Sequence, residues 1–215
     1  HRDLKPHNVM LGEFGETLVV DWGMAKMVGQ DLPQTDARTA STTPIHEGDS
    51  HLGQVKGTPA YMSPEQAWGH VDSLGPTTDV FSLGAVLFCI LTGQAPRNAR
   101  SKGAEVLRSP NKWPRLTPEE AIAQAREGSI RKPTVINPRV PRGLEAICGK
   151  AMSKETADRY STALELSKDV QRGLNDQPVS AWGEPRSLPV RRWVRKHQTV
   201  AASLGATTVI ALAAI

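Results

Sequence analysis

His1-Arg2-Asp3-Leu4-Lys5-Pro6-His7-Asn8 stands at the head of the sequence and runs directly into the apolar triplet Val9-Met10-Leu11. Thirteen residues after Asn8 comes Asp21-Trp22-Gly23, immediately behind a second apolar run, Leu18-Val19-Val20, with Gly12 and Gly15 between the runs. Two short β-prone runs around a glycine-containing loop read as a hairpin. Residues 24–56 are rich in Thr, Ser, Gly, Asp and Pro and show little periodicity, the mark of a long functional or disordered loop. Gly57-Thr58-Pro59-Ala60-Tyr61-Met62-Ser63-Pro64-Glu65 closes that loop.

These three motifs, in this order, resemble the catalytic half of a protein kinase. They match the family patterns H-R-D-L-K-x-x-N, D-F-G and A-P-E, with Trp22 in place of Phe and Ser63 in place of Ala. Lys5 and the Gly57-Thr58-Pro59 stretch resemble the Ser/Thr class. The detail, including the C-terminal tail, resembles bacterial membrane-anchored Ser/Thr kinases. The resemblance covers residues 1 to about 175. It implies a family fold of the α+β class, represented here by a mainly α C-lobe with a small β-hairpin at the catalytic loop, and with an activation segment at 21–65.

The resemblance also assigns roles. Phosphoryl transfer needs positioning and charge compensation more than covalent chemistry. Asp3 would accept a hydrogen bond from the substrate hydroxyl and take its proton. Lys5 would set a cation beside the transferring phosphate of ATP, and Thr58 would bridge Asp3 and Lys5. Asn8 and Asp21 offer hard oxygen ligands to Mg²⁺, which keeps several waters and the nucleotide's own oxygens. For Met10 two readings stand: the floor of the adenine pocket, or plain core. Trp22 is expected to pack as an apolar anchor with its indole N–H partnered, and Gly23 to permit the backbone turn that follows. Thr35, Thr39, Ser41, Thr42 and Thr43 are candidate phosphoacceptors in the activation loop, with Arg2 as the cationic partner of such a phosphate. His1, Gly23, Glu65, Asp79 and Arg159 are expected to be structural. Glu65 and Arg159, in Asp158-Arg159-Tyr160, are expected to form a buried ion pair, since a buried carboxylate needs such a partner. The histidines His7, His46, His51 and His70 show no metal-ligand spacing and read as surface or loop residues.

Residues 57–175 read as mainly helical. Asp79 is placed to cap a helix through Leu91 that is apolar on nearly every side and therefore central, ended by Thr92-Gly93. Thr117-Pro118-Glu119-Glu120 is a capping box opening a charged helix to about Glu127. Leu144, Ile147, Cys148, Ala151 and Met152 follow helical periodicity. Thr162 and Glu165 mark the start of a helix running to about Leu174.

The 215 residues are 39% apolar and 22% charged, a globular composition. The net charge of +4 is local: Arg186, Arg191, Arg192, Arg195 and Lys196 sit near the end with no acidic residue after Arg186, and without them 21 basic residues face 22 acidic ones. That distribution, with no basic–aromatic interleaving, argues against nucleic acid as a partner. The two cysteines, Cys89 and Cys148, lie in apolar helical patterns without metal or redox spacing and read as buried free thiols, which suits a reducing compartment.

Residues 176–197 read as a basic juxtamembrane linker. The uncharged run 198–215 reads as the start of a transmembrane helix, cut short of the roughly 20 residues a span needs. Basic residues mark its cytoplasmic side. The expectation is a single-pass protein of the bacterial inner membrane, its kinase domain in the cytoplasm. ATP and proteins bearing Ser or Thr are its partners, and a second copy would serve for trans-autophosphorylation. The Gly-rich loop and strand lysine of a complete kinase would lie upstream of His1, so these residues alone are expected to be inactive. The alternative is a pseudokinase-like scaffold or docking module.

Overall fold

In a computed structural model of the chain, residues 1–26, 57–97 and 116–183 are described. The expected phosphoacceptors Thr35, Thr39, Ser41, Thr42 and Thr43, the basic linker beyond residue 183 and the apolar run 198–215 lie outside the described residues.

Two strands, β1 (Val9–Leu11) and β2 (Thr17–Val19), form an antiparallel hairpin in which Val9 faces Val19 and Leu11 faces Thr17. A single 3-10 turn, Pro6–Asn8, leads into β1, and another, Trp22–Met24, follows β2. The remainder is helical: α1 (Pro64–Ala67), α2 (Pro76–Thr92), α3 (Pro118–Glu127), α4 (Pro133–Ile136), α5 (Arg142–Ala151) and α6 (Ala163–Leu174). Among the described residues the fold is thus mainly α with one small antiparallel hairpin, as expected. No helix among the described residues is long and apolar enough to cross a membrane.

α2 is the axis of the lobe. It packs against α5, α6 and α4, with one buried cluster on each side. Val80 joins Leu144, Ile147, Ala151, Tyr160, Leu166 and Val179, whereas Phe81, Ala85 and Phe88 join Cys148 and Met152. The helix is therefore central, as its composition requires, but not enclosed all round: Ile90, near its C-terminal end, is 75% exposed. Gly93 ends it in a left-handed conformation (φ 71°), where a glycine carries no Cβ penalty.

One helix start differs from expectation. α2 begins at Pro76 with Gly75 as the N-cap, so Asp79 stands inside the first turn and caps nothing. Pro76 at the first helical position explains the earlier start, since its fixed φ suits the helix and its missing N–H needs no partner there. The Thr117 capping box is as expected, with Thr117 Oγ1 accepting from Glu120 N and Glu120 accepting from Thr117 N. At α6 only half of the box forms: Thr162 Oγ1 accepts from Glu165 N, but the Glu165 carboxylate takes the Ser161 amide.

Packing continues past α6. Asp169 is 1% exposed, and its carboxylate accepts from Tyr160 Oη (2.8 Å), Ser180 N (2.8 Å), Ser180 Oγ (2.8 Å) and Ala181 N (3.2 Å). Burial alone would raise this carboxyl; the four donors outweigh it and hold it below the usual range. The clamp returns the chain to the core, where Val179 is buried.

Candidate active site

Asp3 lies on the loop before β1, and Thr58 reaches it from the far end of the long loop. Asp3 Oδ1 accepts from Thr58 N (3.2 Å) and Thr58 Oγ1 (3.1 Å), and Oδ2 accepts from Lys5 Nζ (2.6 Å). Lys5 Nζ also donates to Thr58 Oγ1 (3.0 Å), so the expected bridge between Asp3 and Lys5 closes as a triangle. Gly57 precedes it at φ 129°, a conformation that favours glycine, and a Cβ there would press on Met62 Cε at 3.3 Å.

The main chain of the loop is fixed from three sides. Asp79 Oδ2 and Oδ1 accept from the main-chain nitrogens of His1 and Arg2, both at 2.9 Å. Gln66 Nε2 donates to the Arg2 carbonyl (2.7 Å), and Arg2 itself stands at φ 70°. His1 Nδ1 accepts from Asp3 N (3.3 Å), so its ring proton sits on Nε2 and donates to the Val20 carbonyl (3.0 Å). One neutral imidazole thereby ties the Asp3 loop to the end of β2. Asp79 was expected as a helix cap; its carboxylate instead holds this loop to the central helix.

Asn8 and Asp21 meet across the hairpin. Asn8 is buried, its Nδ2 donates to the Asp3 carbonyl (2.9 Å), and its own carbonyl accepts from Val20 N (2.9 Å). With Nδ2 committed, Oδ1 is left without a donor among the described residues. Asp21 follows Val20 directly, at φ 65°, with its carboxylate exposed and unpaired among the described residues. A non-glycine residue held there is strained, a condition that clusters at functional sites. The left-handed residue of this turn is Asp21, where Gly23 was expected to provide the freedom; Gly23 has no positive φ. Two hard oxygen donors at one end of the hairpin, one neutral and one anionic, fit Mg²⁺ that keeps water and phosphate oxygens as its other ligands.

Met10 is 56% exposed and so not core. With Leu11, Phe14 and Leu18 it leaves the hairpin's apolar side chains open. Trp22 is also 60% exposed; its indole N–H donates to Val19 O (2.9 Å) and its ring lies on His1 at 4.8 Å. It is therefore a partnered lid over His1 and not a buried anchor. The Arg2 guanidinium has no acidic partner among the described residues.

Beneath the site, Glu65 and Arg159 form the expected buried pair, Nη1 to Oε1 and Nη2 to Oε2 each at 2.8 Å. Burial would raise the Glu65 carboxyl, but the Arg159 guanidinium wins and holds it below its ordinary value. Thr78 Oγ1 adds a donor to Oε1 at 2.9 Å. The two cysteines are free, with Cys148 fully buried and its thiol pushed up to about 12 by burial. Cys89 is half-buried beside the Tyr61 hydroxyl (3.4 Å), and burial raises its thiol too. Neither has the character of a reactive thiolate. His7 and His70 are on the surface as expected, and the described residues hold no cluster of three or more metal-ligating side chains.

Sequence reasoning missed Gln66, the Asp169 clamp and Arg97. Arg97 is fully buried, donates from Nη1 to the Met62 carbonyl (2.8 Å) and lies 5.6 Å from the Phe81 ring centre. Its Nε and Nη2 have no partner among the described residues, and burial lowers it to about 10. Only Asp169 left a signal, a carboxylate on the apolar stripe Leu166, Asp169, Val170.

The helical lobe carries Asp3, Asn8 and Asp21 about a small hairpin, and comparison with known proteins places that arrangement in a family. The family model for the protein kinase domain matches residues 1–169, and the chain belongs to that family. It is 31% identical over 192 residues to the serine/threonine-protein kinase PknD of Chlamydia pneumoniae, covering 89% of this chain and 18% of that protein. It is 31% identical to the probable serine/threonine-protein kinase PknB of Bifidobacterium longum (86% of this chain, 22% of that protein). To the serine/threonine-protein kinase PknB of Mycobacterium tuberculosis (strain ATCC 25177 / H37Ra) it is 32% identical (84% and 24%). The chain thus spans about a fifth of the length of these relatives.

Proposed function

We propose that the chain is the C-lobe of a bacterial Ser/Thr protein kinase that transfers the γ-phosphoryl group of MgATP to protein hydroxyls. The observation that carries this reading is the Asp3–Lys5–Thr58 triangle set beside Asn8 and Asp21. Mg²⁺ bound with ATP would neutralise the phosphate charge. Asn8 and Asp21 would hold it through Oδ1 and a carboxylate oxygen. Thr58 holds Asp3 Oδ1 from both its amide and its hydroxyl, which turns the carboxylate to receive the proton of the substrate hydroxyl. Lys5, already on Asp3, would turn its ammonium to the phosphoryl group as it moves. Met10 and its hairpin neighbours would offer an apolar surface to adenine. Arg2, without an acidic partner among the described residues, would take a phosphate on the activation loop. Thr35, Thr39, Ser41, Thr42 and Thr43 would be its donors, through trans-autophosphorylation by a second copy.

For organisation, residues 1–175 would be the lobe, 176–197 the juxtamembrane linker and 198–215 the start of a single span of the inner membrane, with the lobe in the cytoplasm. The grouping of Asp3, Lys5 and Thr58 beside Asn8 and Asp21 supports the enzyme over a pseudokinase scaffold. The test is phosphate transfer from labelled ATP by the full-length protein to a Ser/Thr-containing protein, wild type against Asp3→Asn. Loss of a proton acceptor should cost at least about 100-fold. Equal, background-level incorporation by both forms would remove the enzyme reading and leave the scaffold.

A further inference from the structure

On the lobe surface between the end of α3 and α5 lies a groove of about 660 Å³ that the proposed chemistry does not use. Arg131, Lys132, Arg142 and Lys154 line it against one acid, Glu145, and Trp182 closes its edge. Glu145 is fully engaged: Oε1 accepts from Thr134 N (3.2 Å) and from Thr134 Oγ1, and Oε2 accepts from Arg142 Nη1 (3.0 Å). It therefore orders the wall of the groove. Lys132 and Lys154 have no acidic partner among the described residues. The Lys154 stem is laid along the α3 C-cap, where a Cβ on Gly128 would meet its Cβ at 2.8 Å. That packing restricts the stem of a side chain that lines the groove.

The position of the groove selects its occupant. Trp182 is one residue from the last described residue, Gly183, and the Asp169 clamp on Ser180 and Ala181 fixes where the chain leaves. Fourteen residues, 184–197, then separate Gly183 from the uncharged run, and they carry Arg186, Arg191, Arg192, Arg195 and Lys196 against the single acid Glu184. Fourteen residues span at most about 50 Å. The groove's two lysines are thus continuous in sign with the linker's cations and are held within reach of whatever surface takes the apolar run. We infer that the groove docks on anionic phospholipid headgroups and so orients the lobe against the bilayer. The inference rests on the membrane reading of residues 198–215. Each Lys or Arg close to an anionic leaflet strengthens association by a factor of about five, so two lysines together contribute roughly 30-fold.

The test is hydrogen exchange on the full chain in nanodiscs of phosphatidylcholine alone or mixed with phosphatidylglycerol, read on peptides covering 128–133 and 149–154. The chain should co-elute with both discs, and those peptides should exchange several-fold more slowly on the anionic discs only. Lys132→Gln with Lys154→Gln, both exposed and with stems preserved, should co-elute equally but lose the protection. Failure of the wild-type chain to co-elute would overturn the membrane reading and this inference with it. Co-elution with equal exchange on both discs would overturn the groove alone. Protection by a soluble phosphopeptide and none by phosphatidylglycerol would also overturn it, in favour of a protein partner.

Discussion

Replacing Arg159 with Met should be among the most damaging single changes to the lobe. The guanidinium uses all five of its N–H groups. Nη1 and Nη2 hold the Glu65 carboxylate, Nε donates to Ser153 O (2.8 Å), and the remaining donors go to Thr77 O and Lys154 O (both 3.0 Å). It also lies over Phe81 at 5.0 Å. Methionine fills similar space but leaves Glu65, 7% exposed, with the Thr78 hydroxyl as its remaining side-chain donor. An uncompensated buried charge costs about 3–5 kcal/mol, out of a total stability of roughly 5–15 kcal/mol. For a lobe of this size that is a fall in Tm of about 10 °C or more. Thermal and urea unfolding followed by circular dichroism would measure it. The cause is isolated by adding Glu65→Gln to Arg159→Met: with no charge left to bury, the double variant should recover at least about 1 kcal/mol over Arg159→Met alone. A loss below about 1 kcal/mol in the single variant, or no recovery in the double, would refute the buried-charge argument.

The same carboxylates set the acid limit of the fold. Glu65 and Asp169 both titrate below their ordinary values of 4.5 and 3.8 in the folded lobe. Their stabilisation is complete above those values and is lost as the pH falls through the lower folded ones, because the unfolded chain then binds more protons. The urea midpoint should hold level from pH 7 to about 5 and then drop, and Glu65→Gln should flatten the drop. In Gly84→Ala the new methyl would meet Ala151 Cβ at 2.7 Å and Met152 Cγ at 2.9 Å, forcing α2 and α5 apart. A loss of about 1–3 kcal/mol by urea titration is expected, and an unchanged midpoint would show that the helices shift freely. Arg97→Met removes a buried cation with three N–H groups that lack a partner among the described residues, at the cost of one hydrogen bond to Met62 O. Its unfolding midpoint should stay level or rise by about 1 kcal/mol; a fall of about 2 kcal/mol would reveal a counter-ion.

Motif and periodicity carried much of this architecture. The hairpin, the helix ends at Gly93, Glu127 and Leu174, and the Glu65–Arg159 pair were legible because each depends on local chemistry or on a motif matched residue by residue. Asp79 was misread because an acid before an apolar run has the look of a cap, while the helix start was set by Pro76, three residues upstream. Its carboxylate bonds a loop some 77 residues away in sequence, and no local pattern reports such a contact. Trp22 was assigned by residue type to apolar surroundings and plain core was one of two readings for Met10, but hairpin strands of three residues each are too small to enclose them. Arg97 contradicts the rule that charges avoid cores, so composition could not have found it.

The Asp169 clamp has a mechanical consequence. Any load arriving along the chain from residue 184 reaches the hydrogen bonds at Ser180 and Ala181 before it reaches α6. Those bonds converge on a single carboxylate, so they would yield together and not one by one. Trp182 and Ala181, packed against the core, share that load with the bonds; beyond it, Val179 is the first buried residue to be drawn out. The clamp is a strain relief of the kind fitted where a cable enters a housing.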